Sequence, residues 1–188
     1  MISEAALTNS TQETFWILRA QVGDREAMDQ LFRQVQGPLF SYLSSILLNS
    51  TLAEDTLQDV FLTICRKLKS LRDPELFRPW AFRIASRRAF RVLKKEKRWR
   101  DEVRDHELLN QQPDDQLTPT ADSIDIESIR NLMDRLSPPV RAVLALHYFE
   151  SMTIAEVATV LSIPVGTAKS RLAYGLQELR SALIDTTP

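Results

Sequence analysis

TIAEVATVLSIPVGTAKSRLAYGLQELRSAL, from Thr153 to Leu183, is the stretch that decides the fold. Thr153 and Glu156 stand three apart, the spacing of a capping box, so a helix can start at Thr153 with its first amides satisfied. Ile154, Val157, Ala158 and Leu161 follow at helical steps and make one apolar stripe. Ser162-Ile163-Pro164 interrupts it. Ser162 is a candidate cap for a new helix, and Pro164 suits its first turn, where no amide hydrogen is needed. In that second helix Ala168, Leu172, Leu176, Leu179 and Leu183 recur at steps of three and four and face inward. Thr167, Lys169, Ser170, Arg171 and Tyr174 are left outside. This is the pattern of a helix-turn-helix, whose second helix enters the DNA major groove. Arg and Lys there suit guanine and phosphate, and Ser and Thr suit either. Two amphipathic helices around a turn also occur in any helical bundle, so this segment alone leaves DNA reading and plain packing both open.

The rest of the chain favours DNA. Its 188 residues have room for one domain or two small ones. A composition rich in Leu and charged residues and poor in Gly predicts an all-α protein. The net charge of −1 conceals a segregation. From Leu76 to Arg104, Arg78, Arg83, Arg87, Arg88, Arg91, Lys94, Lys95, Lys97, Arg98, Arg100 and Arg104 are set against only Glu96, Asp101 and Glu102. From Asp105 to Ser128 there is no Lys or Arg, and Asp and Glu recur. Such segregation predicts a polyanion-binding face beside an acidic tether.

Cys65 is the only cysteine, which excludes an internal disulfide and a cysteine-based zinc cluster. It falls on the apolar side of a predicted helix and reads as a small core residue. MISEAALTNSTQETF lacks the basic start and apolar core of a secretory signal. The longest apolar region, Leu39 to Leu48, is too short to span a bilayer. These readings predict a soluble, cytoplasmic protein with no membrane contact of its own.

Further organisation follows from periodicity. Leu31, Phe32, Val35, Leu39, Phe40, Leu43 and Leu47 form one amphipathic element, with Gly37-Pro38 a candidate kink or break. Thr51 and Glu54 have capping-box spacing. The helix after them carries Leu57, Val60, Phe61, Ile64 and Leu68 on one face and Glu54, Asp55, Gln58 and Asp59 on the other. Asp73-Pro74 ends a loop. A basic helix then runs from about Phe77 to Arg100, with Trp80, Ile84, Phe90 and Leu93 turned inward. NQQPDDQLTPTADS, Asn110 to Ser123, is polar and acidic with two prolines, and reads as part of a flexible linker. Ser137-Pro138 begins another helix by cap and proline, and Val140, Val143, Leu144 and His147 carry it towards the helix-turn-helix. The expected organisation is two small helical domains, 1–104 and 125–188, joined by an acidic linker over 105–124.

These pieces, in this order, resemble the group IV (extracytoplasmic-function type) sigma factors of bacterial RNA polymerase. The resemblance runs from about Ala20 to Leu183. It rests on GDREAMDQLF (Gly23–Phe32), AEDTLQDVFLTICRKL (Ala53–Leu68), FRPWAFRIASRRAF (Phe77–Phe90) and LSPPVRAVLALHYFESMTIAEVATVLSIPVGTAKSRL (Leu136–Leu172). It implies a promoter-specificity subunit in a stress or envelope response, with polymerase core and promoter DNA as partners. Contacts on the core would be the clamp coiled coil and the flap, and an anti-sigma factor is a further candidate partner. Asp55, Gln58 and Asp59 match the family's docking surface for the clamp coiled coil. Leu71 to Arg98 matches the part that recognises and opens the minus-ten element, with Arg83, Arg87, Arg88, Arg91, Lys94, Lys95 and Arg98 as candidate DNA contacts. Trp80 and Phe77 could stack on a base but read better as core, and Trp99 fits either role.

The helix near Pro164 matches the reader of the minus-thirty-five element, through Thr167, Lys169, Ser170, Arg171 and Tyr174. Gly166 suits either a close approach to DNA or the turn itself. Arg141 matches a family arginine that suits either a phosphate contact or a brace within the fold. Two departures, Ser86-Arg87 and Ala173-Tyr174, fall where base readout is expected and leave the promoter sequence unread. The sequence presents no metal-ligand cluster, phosphate-binding glycine loop or nucleophile–base arrangement, so a cofactor-free, non-enzymatic role is expected. His106 and His147 lack an evident catalytic partner. The competing readings are a stand-alone helix-turn-helix repressor and a protein-interaction module.

Overall fold

The computed structural model describes the backbone over residues 4–96 and 133–186, and side chains over 12–96 and 133–182. All its regular elements are helical. In chain order they are α1 (Glu4–Gln21), α2 (Arg25–Leu47), α3 (Ser50–Lys67), α4 (Phe77–Lys95), α5 (Pro138–Leu144), α6 (Ile154–Leu161) and α7 (Val165–Thr186). Short 3-10 turns lie at Leu68–Ser70, Pro74–Leu76 and Met133–Arg135, and a π-helical turn, Ala145–Phe149, continues α5. Arg98, the linker 105–124 and the start of the second expected domain lie outside the described residues.

Local chemistry sets the helix ends. Gly23 takes φ +99°, a backbone that residues with a Cβ rarely adopt, and turns the chain from α1 into α2. Asp24 then caps α2 by accepting from the Ala27 amide at 3.1 Å. The Arg19 guanidinium donates to the same carboxylate through Nε at 2.7 Å. These donors, the Ala27 amide first, hold the Asp24 carboxyl below its ordinary range. Helix α2 runs without interruption through Gly37-Pro38, so that pair is not a break. The expected capping box at Thr51 and Glu54 is not formed. Asn49 caps α3 instead, accepting from Leu52 N at 3.0 Å, and this starts the helix a residue before Thr51.

Leu31, Leu39, Tyr42, Leu43 and Ile46 of α2 form the centre of the N-terminal unit, against Val60 and Ile64 of α3 and Phe77 and Phe82 of α4. The inward face of α4 differs from the expected one. Phe77, Ala81, Phe82, Ala85, Ser86, Ala89 and Leu93 are buried, whereas Trp80, Ile84 and Phe90 sit at the margin. Small residues at 81, 85 and 89 let the helix approach its neighbours closely, which a stripe of larger side chains would prevent. Ser86 is therefore interior and not at a base-reading surface. Its Oγ donates to Phe82 O at 2.7 Å, so Tyr42 is the donor in the 2.6 Å Tyr42–Ser86 bond. Full burial pushes the Tyr42 hydroxyl well above its ordinary range, so it stays a neutral donor. Cys65 is exposed. It lies one residue beyond the buried Ile64, on the edge shared with exposed Leu62.

In the C-terminal unit the capping box forms as expected. Glu156 N donates to Thr153 Oγ1 at 3.3 Å, and Thr153 N donates to Glu156 Oε2 at 2.8 Å. Ser162 ends α6 with a left-handed φ of 58° and does not begin the next helix. Pro164 O accepts from Ala168 N at 3.1 Å and opens α7. Ala168, Leu172, Leu176 and Leu179 are buried, as the spacing predicts. Gly175 makes close contact between α7 and α5 possible, since a Cβ there would meet Val140 Cγ1 at 2.7 Å and Leu144 Cδ1 at 2.8 Å.

The two units share one continuous core. Helix α5 packs on α2, and α6 packs on α4. Arg141 is buried, and its guanidinium donates to Leu136 O at 2.5 Å and to Ile46 O at 2.7 Å. Ile46 lies in the last turn of α2, where carbonyls lack helical partners, so Arg141 caps that helix from the other unit. Of the two roles that the sequence left open for Arg141, this arrangement displays the brace.

Candidate nucleic-acid interface

The charged face of α4 is a direct result of its buried face. With alanines and Ser86 turned inward, Arg87, Arg91, Lys94 and Lys95 are all exposed. They form a row free of acidic neighbours within the helix, a surface suited to phosphates. Arg88 is half-buried and otherwise engaged. Its Nη2 donates to Thr63 Oγ1 at 3.1 Å, and Nη1 lies 3.4 Å from Asp59 Oδ2. One candidate docking residue thus touches one candidate DNA contact.

The N-terminal half of α4 and the turn before it form one wall of a cleft of about 370 Å3. Leu71, Leu76, Pro79, Trp80 and Arg83 line that wall, and Ala155, Glu156 and Thr159 of α6 line the other. Trp80 is half-buried with its ring 6.1 Å from that of Phe77, which is fully interior. Arg83 Nε is buried there without a hydrogen-bond partner. An apolar pocket with an aromatic wall and an unsatisfied cationic donor suits an unstacked base with its phosphate.

On α7, Lys169 is exposed, and Thr167, Ser170, Arg171 and Tyr174 are half-buried. Ser170 Oγ donates back to Thr167 O at 3.1 Å. Partial burial lowers the Arg171 pKa by desolvation, which leaves a guanidinium poorly served by water and favourable for an anion. A Cβ added at Gly166 would meet nothing within 4 Å, so that glycine is not needed for packing within the chain.

Asp55, Gln58 and Asp59 stand exposed on α3, next to a groove of about 370 Å3 lined by Gln36, Phe40, Glu54, Leu57, Gln58 and Phe61. Phe61 stacks on Phe32 with ring centres 4.3 Å apart, which fixes the floor. An apolar floor with an acidic rim suits a basic helical partner.

Sequence reasoning missed Arg78 and Glu150. They form an ion pair at 2.7 Å between the two units, with the Glu150 carboxylate almost wholly buried. Glu150 follows the π-helical turn, whose extra residue no helical periodicity announces. Burial also raises the pKa of Glu13 on α1, with Arg78 opposing the shift, so α1 belongs to the same cluster. Among the described residues no group of His, Cys, Asp and Glu is placed to hold a metal, and no helix is long and apolar enough to cross a membrane.

Comparison with known proteins accounts for both units. Residues 31–99 match the family model described as Sigma-70 region 2, and residues 126–179 match Sigma-70, region 4. The chain belongs to the sigma-70 family. Among curated relatives it is 26% identical to the ECF RNA polymerase sigma factor SigW of Bacillus subtilis, over 90% of this chain and 95% of that protein. It is 25% identical to the RNA polymerase sigma-H factor of Pseudomonas aeruginosa, over 92% and 94%. The fold is similar to that of CnrH, solved with the cytosolic domain of CnrY, at TM-score 0.63 and 22% identity over 94% of this chain and 99% of that one. It is similar at the same TM-score to the sigma factor RpoE solved with the anti-sigma factor NepR from Bartonella quintana, 21% identical over 85% and 98%. As a sigma factor, the protein directs RNA polymerase to specific promoters and initiates transcription there.

Proposed function

We propose that this sigma factor divides promoter recognition between α4 and α7 and docks on polymerase through α3. The exposed row Arg87, Arg91, Lys94 and Lys95 supports this reading most directly, because four cations on one helix face suit the backbone of a separated strand. Arg83, with Arg88 once freed from Asp59, adds to that grip, and Arg98 extends the same basic run. Capture of an unstacked base beside Trp80 drives melting without ATP. Lys169, Arg171, Ser170, Thr167 and Tyr174 contact the duplex at the minus-thirty-five element. Asp55, Gln58, Asp59 and the groove between α2 and α3 take the clamp coiled coil, and the C-terminal unit meets the flap.

The protein contributes no catalysis and needs no cofactor, since nucleotide addition belongs to the polymerase core, in whose cytoplasmic compartment it acts. Residues 1–104 and 125–188 are its working units, with 105–124 as tether. Holding both units on one core converts two weak DNA contacts into one specific one by effective concentration. The relatives named as ECF sigma factors and the anti-sigma factor NepR bound to RpoE favour a stress or envelope response under anti-sigma control.

Run-off transcription from a pool of promoter fragments, with bacterial core polymerase, tests the reading. Defined transcripts are expected only with both components present. Tight, salt-dependent duplex binding by the protein alone, without transcripts, would instead establish a repressor.

A further inference from the structure

Helix α1 lies before residues 31–99, the part that matches Sigma-70 region 2, and the proposed function gives it no role. Ile17 and Ala20 anchor it in the core. It packs against the two 3-10 turns, Leu68–Ser70 and Pro74–Leu76, that join α3 to α4. Gln21, its last residue, reaches across to the first of them. Gln21 Nε2 donates to Leu68 O at 3.0 Å and to Leu71 O at 2.7 Å, 47 and 50 residues away in sequence. Two carbonyls oblige the side chain to present its nitrogen, because its oxygen would face two acceptors, and both amide hydrogens are used. Leu68 O also accepts from Leu71 N at 3.0 Å. Gln21 therefore staples both ends of the turn that Leu71 closes.

The stapled residue forms a wall of the cleft beside Trp80. Leu71 is extended, at φ −74° and ψ 109°, between the two 3-10 turns, and it lines the cleft with Leu76, Pro79, Trp80 and Arg83. Beyond it, local bonds shape the chain. Asp73 Oδ1 accepts from Glu75 N at 3.0 Å, and Asp73 O accepts from Leu76 N at 3.1 Å. Arg72 and Asp73 themselves are exposed. A link this short and exposed would sample many backbones if left alone, and a ligand that fixed one of them would bear the entropy loss. The Gln21 bonds fix Leu71 in advance, so that loss falls on folding and not on capture.

We infer that α1 is a splint for the strand-capture pocket, with Gln21 as the positioning residue that holds its Leu71 wall ready for an unstacked base. The inference rests on the reading of the Trp80 cleft as a base pocket, whereas the staple itself requires neither promoter nor polymerase. Gln21 acts through Leu71 and touches no DNA.

Gln21→Met tests the staple in the full chain, since Met is close in length, uncharged and without a donor. Hydrogen exchange on the sub-second scale is read at the amides of Leu71, Glu75 and Leu76, with those of α2 as the measure of global folding. Faster exchange at the three loop amides, with α2 unchanged, is expected. Unchanged exchange in the loop overturns the staple. Should Gln21→Met not fold, Gln21→Asn keeps the amide but draws it back by one methylene, and the same two outcomes decide.

Capture is read separately, in holoenzyme assembled on bacterial core polymerase. The probes are single strands of the minus-ten segment upstream of mapped start sites, with each base in turn replaced by an abasic residue. In the wild type one abasic position is expected to weaken binding most, and it marks the base that enters the pocket. Gln21→Met should bind the intact strand about ten-fold more weakly, if the freed loop holds its binding geometry roughly a tenth of the time. It should bind the strand abasic at that position as the wild type does. An equal loss on both strands, or none on either, overturns the positioning role. If no abasic position stands out in the wild type, the base-pocket reading fails and the capture role with it, while the exchange result still decides the staple.

Discussion

Helices α4 and α7 both present a polar face to solvent, yet their buried faces differ in the side chains that set the approach to their neighbours. Helix α4 is anchored by Phe77, Phe82 and Leu93, drawn close by the small Ala81, Ala85 and Ala89 between them, and by one buried hydrogen bond from Tyr42 to Ser86. Helix α7 is held by leucines and by a glycine, Gly175, pressed against Val140 and Leu144. Their outer faces differ accordingly. The outer face of α4 leaves Arg87, Arg91, Lys94 and Lys95 exposed in one row, whereas the leucine stripe of α7 leaves Lys169 exposed and Arg171 half-buried. The first face suits a charged strand held without regard to sequence. The second suits a groove read by a few side chains.

Neutralising the row on α4, by Arg87, Arg91, Lys94 and Lys95 to Ala together, should have the largest effect. Run-off transcription with core polymerase should drop by at least about ten-fold, and the salt slope of single-strand binding should fall by about three, at roughly 0.7 per phosphate contact. A slope that stays put would show that these residues touch no phosphate.

The anchors come next. Gly175→Ala should destabilise the fold by about 1–3 kcal/mol, because the added methyl has no room between Val140 and Leu144. Chemical denaturation measures this, and a neutral result would mean that α5 yields more readily than its packing suggests. Ser86→Ala should cost about 1–3 kcal/mol by leaving the buried Tyr42 hydroxyl without an acceptor, whereas Tyr42→Phe removes only one net hydrogen bond, about 1 kcal/mol. Equal costs would show that the Ser86 hydroxyl is not the acceptor on which Tyr42 depends. The smallest effect belongs to α7. Lys169→Ala should lower the salt slope for duplex binding by about 0.9, and Gly166→Ala should leave stability unchanged. If Gly166→Ala nevertheless weakens duplex binding, that glycine permits backbone approach to DNA.

Much of this plan was readable in residue order, and the exceptions have physical causes. The helix-turn-helix was legible because its apolar residues keep a 3.6-residue period and its capping box is local. The charged outer face of α4 was legible as well, since segregation of charge needs no tertiary information. The inward face of α4 was not. Periodicity favours large apolar residues such as Trp80 and Ile84, whereas close packing between helices selected alanine and serine. Asn49 and Ser162 exchanged roles with nearby candidates because several cap-forming residues compete within a few positions, and tertiary contacts choose among them. Cys65 was misplaced by one helical step, enough to turn a side chain from core to solvent. Arg78 and Glu150 are 72 residues apart in sequence, and no local pattern links them.

The wide turn Ala145–Phe149 gives the C-terminal unit its bearing. A π turn holds about one residue more than a turn of the α-helix it continues, because its carbonyls accept from amides five residues on and not four. Glu150 N accordingly donates to Ala145 O at 3.2 Å, and Met152 N to Leu146 O at 3.0 Å, before the chain turns into α6. The residue count of that turn, a quantity that insertions and deletions alter in whole steps and point substitutions cannot, sets where Glu150 meets Arg78.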